Sequence, residues 1–386
     1  MSPRRREPVT YWQRATYRWI AITVVMGVLL VWYQNHPYYR QGQFQPFKTV
    51  YPGIFATWLF FGLFYARITV QRFSSMRYMM RDTGLHFLLL AKRVRERRFW
   101  RSLEQHPRLK TTVLAIVVKG FFIPLMCGFV MNHVNNIWRQ WLAHKHLHPP
   151  DIRLPPGTPL HVELRVWGQE LWSHLGELLP AGHDFVGLVT PWTWSRQDFS
   201  WGLSFVYDCI FFVDCGWALM GYASESRWLG NKTKSVEPTS FGWAVALACY
   251  PPFNHVLGTY LPLENGPAVI TNDDWLLALR AGVVVLFAIY AAATVAFGFK
   301  FSNLTNRGIV SRGPYRFIRH PAYACKCTAW WFEHLPTMTF AKAIFLTGLC
   351  GVYALRAWTE ERHLSRDPDY LAYKAKVRWV IFPGLF

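Results

Sequence analysis

The chain has 386 residues, a formal net charge of +20 and a composition that is 52% hydrophobic and 17% aromatic. Length alone would allow two or three soluble domains, but the apolar runs are too long and too numerous for a soluble fold. The charge would suit nucleic-acid phosphate, yet its placement along the chain is better explained by membrane sidedness, and no nucleic-acid partner is expected.

In chain order, apolar stretches at 19–33, 50–70, 111–131, 199–223, 241–261 and 275–299 approach or exceed the roughly 20 residues a helix needs to cross a bilayer core. A pair at 322–335 and 340–358 follows; the first is short, and the two form a hairpin packed on the rest. The expected fold is all-α, a polytopic transmembrane helical bundle of about eight crossings with a C-terminal helical hairpin. Trp, Tyr and Phe gather near segment ends, where amphipathic rings favour the interface. Arg4, Arg5 and Arg6 precede the first stretch, which lacks a small-residue cleavage pattern and reads as a retained helix.

Residues 67–110 hold twelve Lys and Arg against Asp82, Glu96 and Glu104, whereas 262–274 holds acids and no Lys or Arg. The positive-inside rule then places both termini, 67–110, 224–240 and 300–319 in the cytoplasm. The expected setting is a multi-pass protein of a bacterial-type inner membrane. Three parts follow. Residues 1–131 form N-terminal transmembrane helices with a basic cytoplasmic loop, whose apolar centre at 85–91 lies on the surface. Residues 132–198 form an extracytoplasmic loop or interfacial cap, and 199–386 form a denser core. All seven cysteines lie in or beside apolar stretches, which gives no disulfide framework of the secreted type.

Within the core, 235–254 reads SVEPTSFGWAVALACYPPFN. Pro251 and Pro252 break or kink the helix before them, and irregular backbone at membrane depth is tolerated only beside protein or a water-filled cavity. Tyr250, Phe253, Asn254 and His255 are thus candidates to line a cavity and touch substrate. The segments RGPYRFIRHPAY at 312–323 and TEERHL at 359–364 bracket the terminal hairpin, which brings both to one cytoplasmic face. They supply Tyr315, Arg316, Arg319, His320, Pro321 and Tyr323 beside Glu360 and Glu361, with Arg356 one helical turn before Glu360. Anchoring a helix needs no such mixed-charge cluster.

The ordered set RHPAY, hydrophobic hairpin, EERHL and the basic segment DPDYLAYKAKVRW at 367–379 resembles the isoprenylcysteine carboxyl methyltransferase and phospholipid methyltransferase family of integral membrane enzymes. The likeness covers about residues 300–386. It implies a methyltransferase-like core within 199–386 that binds S-adenosylmethionine on the cytosolic side through the RHPAY segment and the glutamate pair. The acceptor it implies is a lipophilic small molecule or lipid-modified group, arriving laterally through membrane lipid. Glu360 or Glu361 would meet the cationic end of the cofactor, and Arg319 or Arg316 its carboxylate. Arg356, with Glu360, would act at the reacting end and could position an acceptor carboxylate. Such an acceptor needs no general base; a thiol or amine would need one, with His320 or a Glu nearest. Ala324, Cys325, Lys326 and Cys327 depart from the glycine that family members often carry after the motif tyrosine.

Other readings stay open. A sterol-type membrane reductase using NADPH has a similar RHPxY element and tail, although the GPYR lead-in and paired glutamates favour methyl transfer. A non-enzymatic membrane scaffold is a third. Lys326 and Glu333, seven residues apart, either pair with each other or face an acceptor. Asp208 and Asp214, within an apolar segment, need a cavity, a polar partner or an interface. His144, His146 and His148 read as a solvated tract. Cys325 with Cys327 lacks further spaced ligands, and no metal is expected.

Overall fold

The computed structural model describes residues 11–40, 44–72, 105, 107–144, 195–225, 229–254, 265–382 and 384. Its named helices are α1 (Tyr11–Asn35), α2 (Gln45–Arg72), α3 (Pro107–His144), α4 (Arg196–Ala223), α5 (Ser240–Leu247), α6 (Asp273–Phe297), α7 (Pro321–His334), α8 (Phe340–Leu364) and α9 (Pro368–Lys376). Two short strands, β1 (Ser235–Val236) and β2 (Thr305–Asn306), pair antiparallel. The molecule is an all-α helical bundle. Among the described residues, five helices are long and apolar enough to cross a membrane: α2, α3, α4, α6 and α8. The apolar part of α1, Ile22–Asn35, is shorter. Phe60 is 82% exposed, beside exposed Phe61 and Phe64 on α2. A contiguous aromatic face of that kind suits lipid better than water.

Two elements differ from expectation. Helix α3 runs past residue 131 to His144. His133, Asn136 and Gln140 stand at i, i+3 and i+7, which puts them on one helix face, and all three reach Asp208 of α4, at 2.7, 3.1 and 2.5 Å. A buried carboxylate without such partners would be costly, so a polar network answers for Asp208. Conversely, the helix expected over 241–261 ends at Leu247. Proline lacks the N–H that continues a helix, and a turn passes through Pro251 and Pro252. Eight residues of helix rise only about 12 Å. The expectations over 85–91, His146, His148, His255 and most of 132–198 lie outside the described residues.

Ion pairs and caps fix how the helices run. Helices α3 and α4 are antiparallel, with Lys119 Nζ 2.8 Å from Glu225 Oε2 at one end and the Asp208 network toward the other. Helices α4 and α6 are parallel: Arg196 and Asp274, each in the first turn of its helix, approach to 3.0 Å. A turn at Leu335–Thr337 joins α7 to α8, whose first turn is capped by the Thr339 side chain. Phe122 of α3 stacks on Tyr222 of α4, with ring centroids 4.9 Å apart, and meets Tyr250 edge-on at 5.0 Å. Such aromatic pairs each add about 0.5–1.5 kcal/mol beyond their buried area. They lock α3, α4 and the turn after α5 together, beside Phe301 in the loop that follows α6.

Candidate functional site

Pro321 opens α7 at its first helical position, where its missing N–H is no loss and its fixed φ suits the helix. The two residues before it are held by backbone: Arg319 N donates to Trp379 O and His320 N to Val380 O, both at 2.9 Å. Upstream, the helical turn Gly313–Arg316 buries Tyr315, whose carbonyl accepts the Tyr373 hydroxyl of α9 at 2.7 Å. Burial pushes the Tyr373 phenol up to about 12 and the Tyr315 phenol well above its ordinary value. The RHPAY segment is therefore seated on the tail before any ligand arrives.

Arg319 commits four of its five donors to protein groups. Its Nε and Nη2 donate to the two oxygens of Glu361 at 2.6 and 3.2 Å, and its Nη1 to the carbonyls of Val377 and Arg378. Lys374 Nζ adds a third bond to Glu361, at 3.0 Å. Glu360, one residue earlier, faces the other way. Its Oε1 accepts from the Tyr323 hydroxyl at 2.5 Å and from Arg356 Nε at 3.2 Å. Its side chain keeps 29% exposure, and Oε2 lies 3.9 Å from His320 Nδ1, beyond hydrogen-bond range. His320 stacks on Tyr323, with centroids 5.3 Å apart.

Arg356 is 3% exposed. Its guanidinium lies 5.3 Å from the Tyr323 ring centre and 5.5 Å from that of Tyr250, and Nη2 donates to Asn303 Oδ1. Asn303 in turn gives Nδ2 to the hydroxyls of Tyr222 and Tyr250, at 2.6 and 2.9 Å. Sequence reasoning passed over Asn303. The polar run SNLTNRG directly after an apolar segment was the available signal, because it must fold against the helix ends it joins.

These groups line one cavity with about 1180 Å³ of atom-free space, open to solvent. Of the residues singled out from sequence, Tyr315, Arg319, His320, Tyr323, Lys326, Arg356, Glu360 and Tyr250 line it. Glu361 lies behind the wall in its bonds to Arg319 and Lys374, Pro321 serves as the helix start, and Arg316 is exposed. Phe253 is exposed and packs toward Phe121, while Asn254 follows it outside the lining. Lys326 and Glu333 take separate places. Lys326 lines this same cavity, its ammonium over the rings of Tyr290, Trp330 and Tyr353 at 5.7, 5.3 and 5.5 Å, whereas Glu333 lines a different cavity with Tyr207 and Asp208. Comparison with family models, curated proteins and solved structures returned no match.

Proposed function

We propose that the chain is a membrane-embedded methyltransferase that uses S-adenosylmethionine and methylates a lipophilic acceptor delivered through the bilayer. One observation carries the reading: Arg356, Glu360 and Tyr323 form a bonded cluster, with His320 stacked on it, in the wall of an open cavity. The residues present suit the cofactor. Glu360 Oε2, 3.9 Å from His320 Nδ1, accepts no hydrogen bond among the described residues and can meet a cationic group, and the rings of Tyr315, Tyr323, Tyr353 and Tyr373 suit both a flat base and a sulfonium charge. When bound, S-adenosylmethionine supplies an electrophilic methyl group.

The roles divide by geometry. Glu360 holds the cationic end, while His320 and Tyr323 orient the ligand. Arg319 and Glu361 keep the wall in place through their mutual bonds. Arg356 stands one turn deeper than Glu360 and fixes the acceptor, with Tyr250 as the facing wall. Methyl transfer is an in-line displacement, so alignment and exclusion of water supply much of the rate.

The topology belongs to the same proposal: eight crossings with both termini cytoplasmic. Helices α4 and α6 start at the same end, which supports a return crossing between them through 224–272. The short α7 lies antiparallel to the long α8, which supports counting the hairpin as two. Calorimetry on detergent-solubilised protein tests the cofactor. S-adenosylhomocysteine binds the native chain and binds Glu360→Gln at least about tenfold more weakly. Equal affinity for both proteins, or none for either, rejects the assignment.

A further inference from the structure

Since Glu361 and two backbone carbonyls take four of the five Arg319 donors, a less engaged set of donors is the better match for the anionic group of a ligand. The loop after α6 offers the donors. Lys300, Thr305 and Arg307 all line the cavity. The Lys300 ammonium has no hydrogen-bond or ion-pair partner among the described residues. It lies over Gly308, 3.1 Å from where a Cβ on that residue would stand. Gly308 has φ +107°, a conformation that L side chains avoid, and its lack of a side chain leaves the ammonium its place.

Arg307 is 3% exposed. Its Nη1 donates to the carbonyls of Gly221 and Ser224, while its Nε has no partner. Thr305 Oγ1 is likewise buried without a partner. The nearest acid to Arg307, Glu225, is already bonded to Lys119 and to the Thr233 backbone. Glu360 is the carboxylate in the lining, and it already accepts from Arg356. The loop itself is rigid. Asn306 O accepts from Lys234 N at 2.8 Å, Leu304 O accepts from Glu237 N at 2.7 Å, and Asn306 Oδ1 accepts from Gly308 N at 2.9 Å. A fixed wall with an excess of unengaged donors is built to take an anion.

We infer that Lys300 and Arg307 form an anion subsite that receives the carboxylate of the cofactor's amino-acid head, complementing Glu360, which receives its ammonium. This rests on the methyltransferase reading. The cavity then reads a zwitterion with one acid and one basic loop, and Arg319 keeps a positioning role.

Calorimetry with two ligands tests it on the full chain. S-adenosylhomocysteine carries the carboxylate; S-adenosyl-3-thiopropylamine keeps the ammonium and lacks the carboxylate. The native protein prefers the first by about tenfold or more, the worth of one charge-assisted bond. In Lys300→Met the preference falls to within about twofold, while affinity for the amine ligand and the unfolding midpoint stay unchanged. Lys300→Met keeps an unbranched stem beside Gly308 and removes no hydrogen bond among the described residues, and the unchanged midpoint checks that the variant folds. An undiminished preference in Lys300→Met overturns the subsite even though the cofactor reading survives. If the native protein binds neither ligand, the methyl donor falls and the carboxylate subsite falls with it; a preference for NADPH over NADH that Lys300→Met abolishes would reassign the basic loop to a phosphate.

Discussion

Arg356 shows how one residue joins packing to chemistry. A guanidinium at this depth is costly without compensation, and here it has Glu360, Asn303 and two tyrosine faces. Lysine offers a point charge where arginine offers a planar fork. Arg356→Lys is expected to keep S-adenosylhomocysteine affinity within about threefold and to lose methyl transfer by roughly 10- to 100-fold, the worth of a charge-assisted bond. A variant that loses the ligand yet turns over normally once saturated would move Arg356 into the cofactor site. Arg319 makes the opposite case. Arg319→Met leaves Glu361 buried with Lys374 and, at 3.4 Å, His320 Nε2 as its remaining partners, and breaking such a buried pair costs about 3–5 kcal/mol. The unfolding midpoint in detergent should fall accordingly, and fall less in Glu361→Gln, which keeps an acceptor. The ordering of RHPAY and EERHL was legible because a hairpin brings its ends together. Which glutamate faces the cavity was not legible: adjacent residues on a helix point about 100° apart, and nothing in the letters says which side the tail will cover.

At the scale of elements, the tail helix α9 docks through a charged clasp. Lys234 Nζ reaches Asp367 at 2.9 Å and Asp369 at 3.1 Å, and Asn306 Nδ2 reaches Asp367 at 2.8 Å. Burial alone would raise the Asp367 pKa, but the bonds from Lys234, Asn306 and the Asp369 backbone outweigh it and hold it below the ordinary carboxylate value. Lys234 is held above the usual lysine value, chiefly by its bond to Asp367. A depressed carboxylate adds stability that is present above its unfolded pKa and lost as pH falls through the folded one; a raised lysine adds stability lost as pH rises through its folded pKa. Hydrogen-exchange protection of α9, corrected for intrinsic rates, should therefore hold through neutrality and drop below about pH 4. In Lys234→Met that midpoint should move upward; an unmoved midpoint would leave the clasp without a part in docking. The clasp was hidden in the sequence because Lys234 and Asp367 are 133 residues apart. The stop of α5 was half visible. Pro251 and Pro252 marked a break, yet the apolar letters beyond them read as more helix.

For the whole molecule, sidedness gives the sharpest test. A cysteine at the exposed Ala268 should react with an impermeant maleimide added from outside, and one at Arg312 should not; reversal of the two would invert the proposed topology. The apolar segments made the bundle legible, whereas the joining of α3 to α4 through Asp208 was visible only as an isolated acid. The bonds from Arg319 and His320 to residues 377–380 also carry a consequence in time. These partners leave the ribosome after α7 and α8 have been made, so the bundle can insert while the wall of the cavity is still unfastened. Emergence of residues 377–380 then fastens the wall of the cavity. Nascent chains arrested just after Leu364 should be membrane-integrated yet open to protease at 313–320, and should become resistant once Val380 emerges.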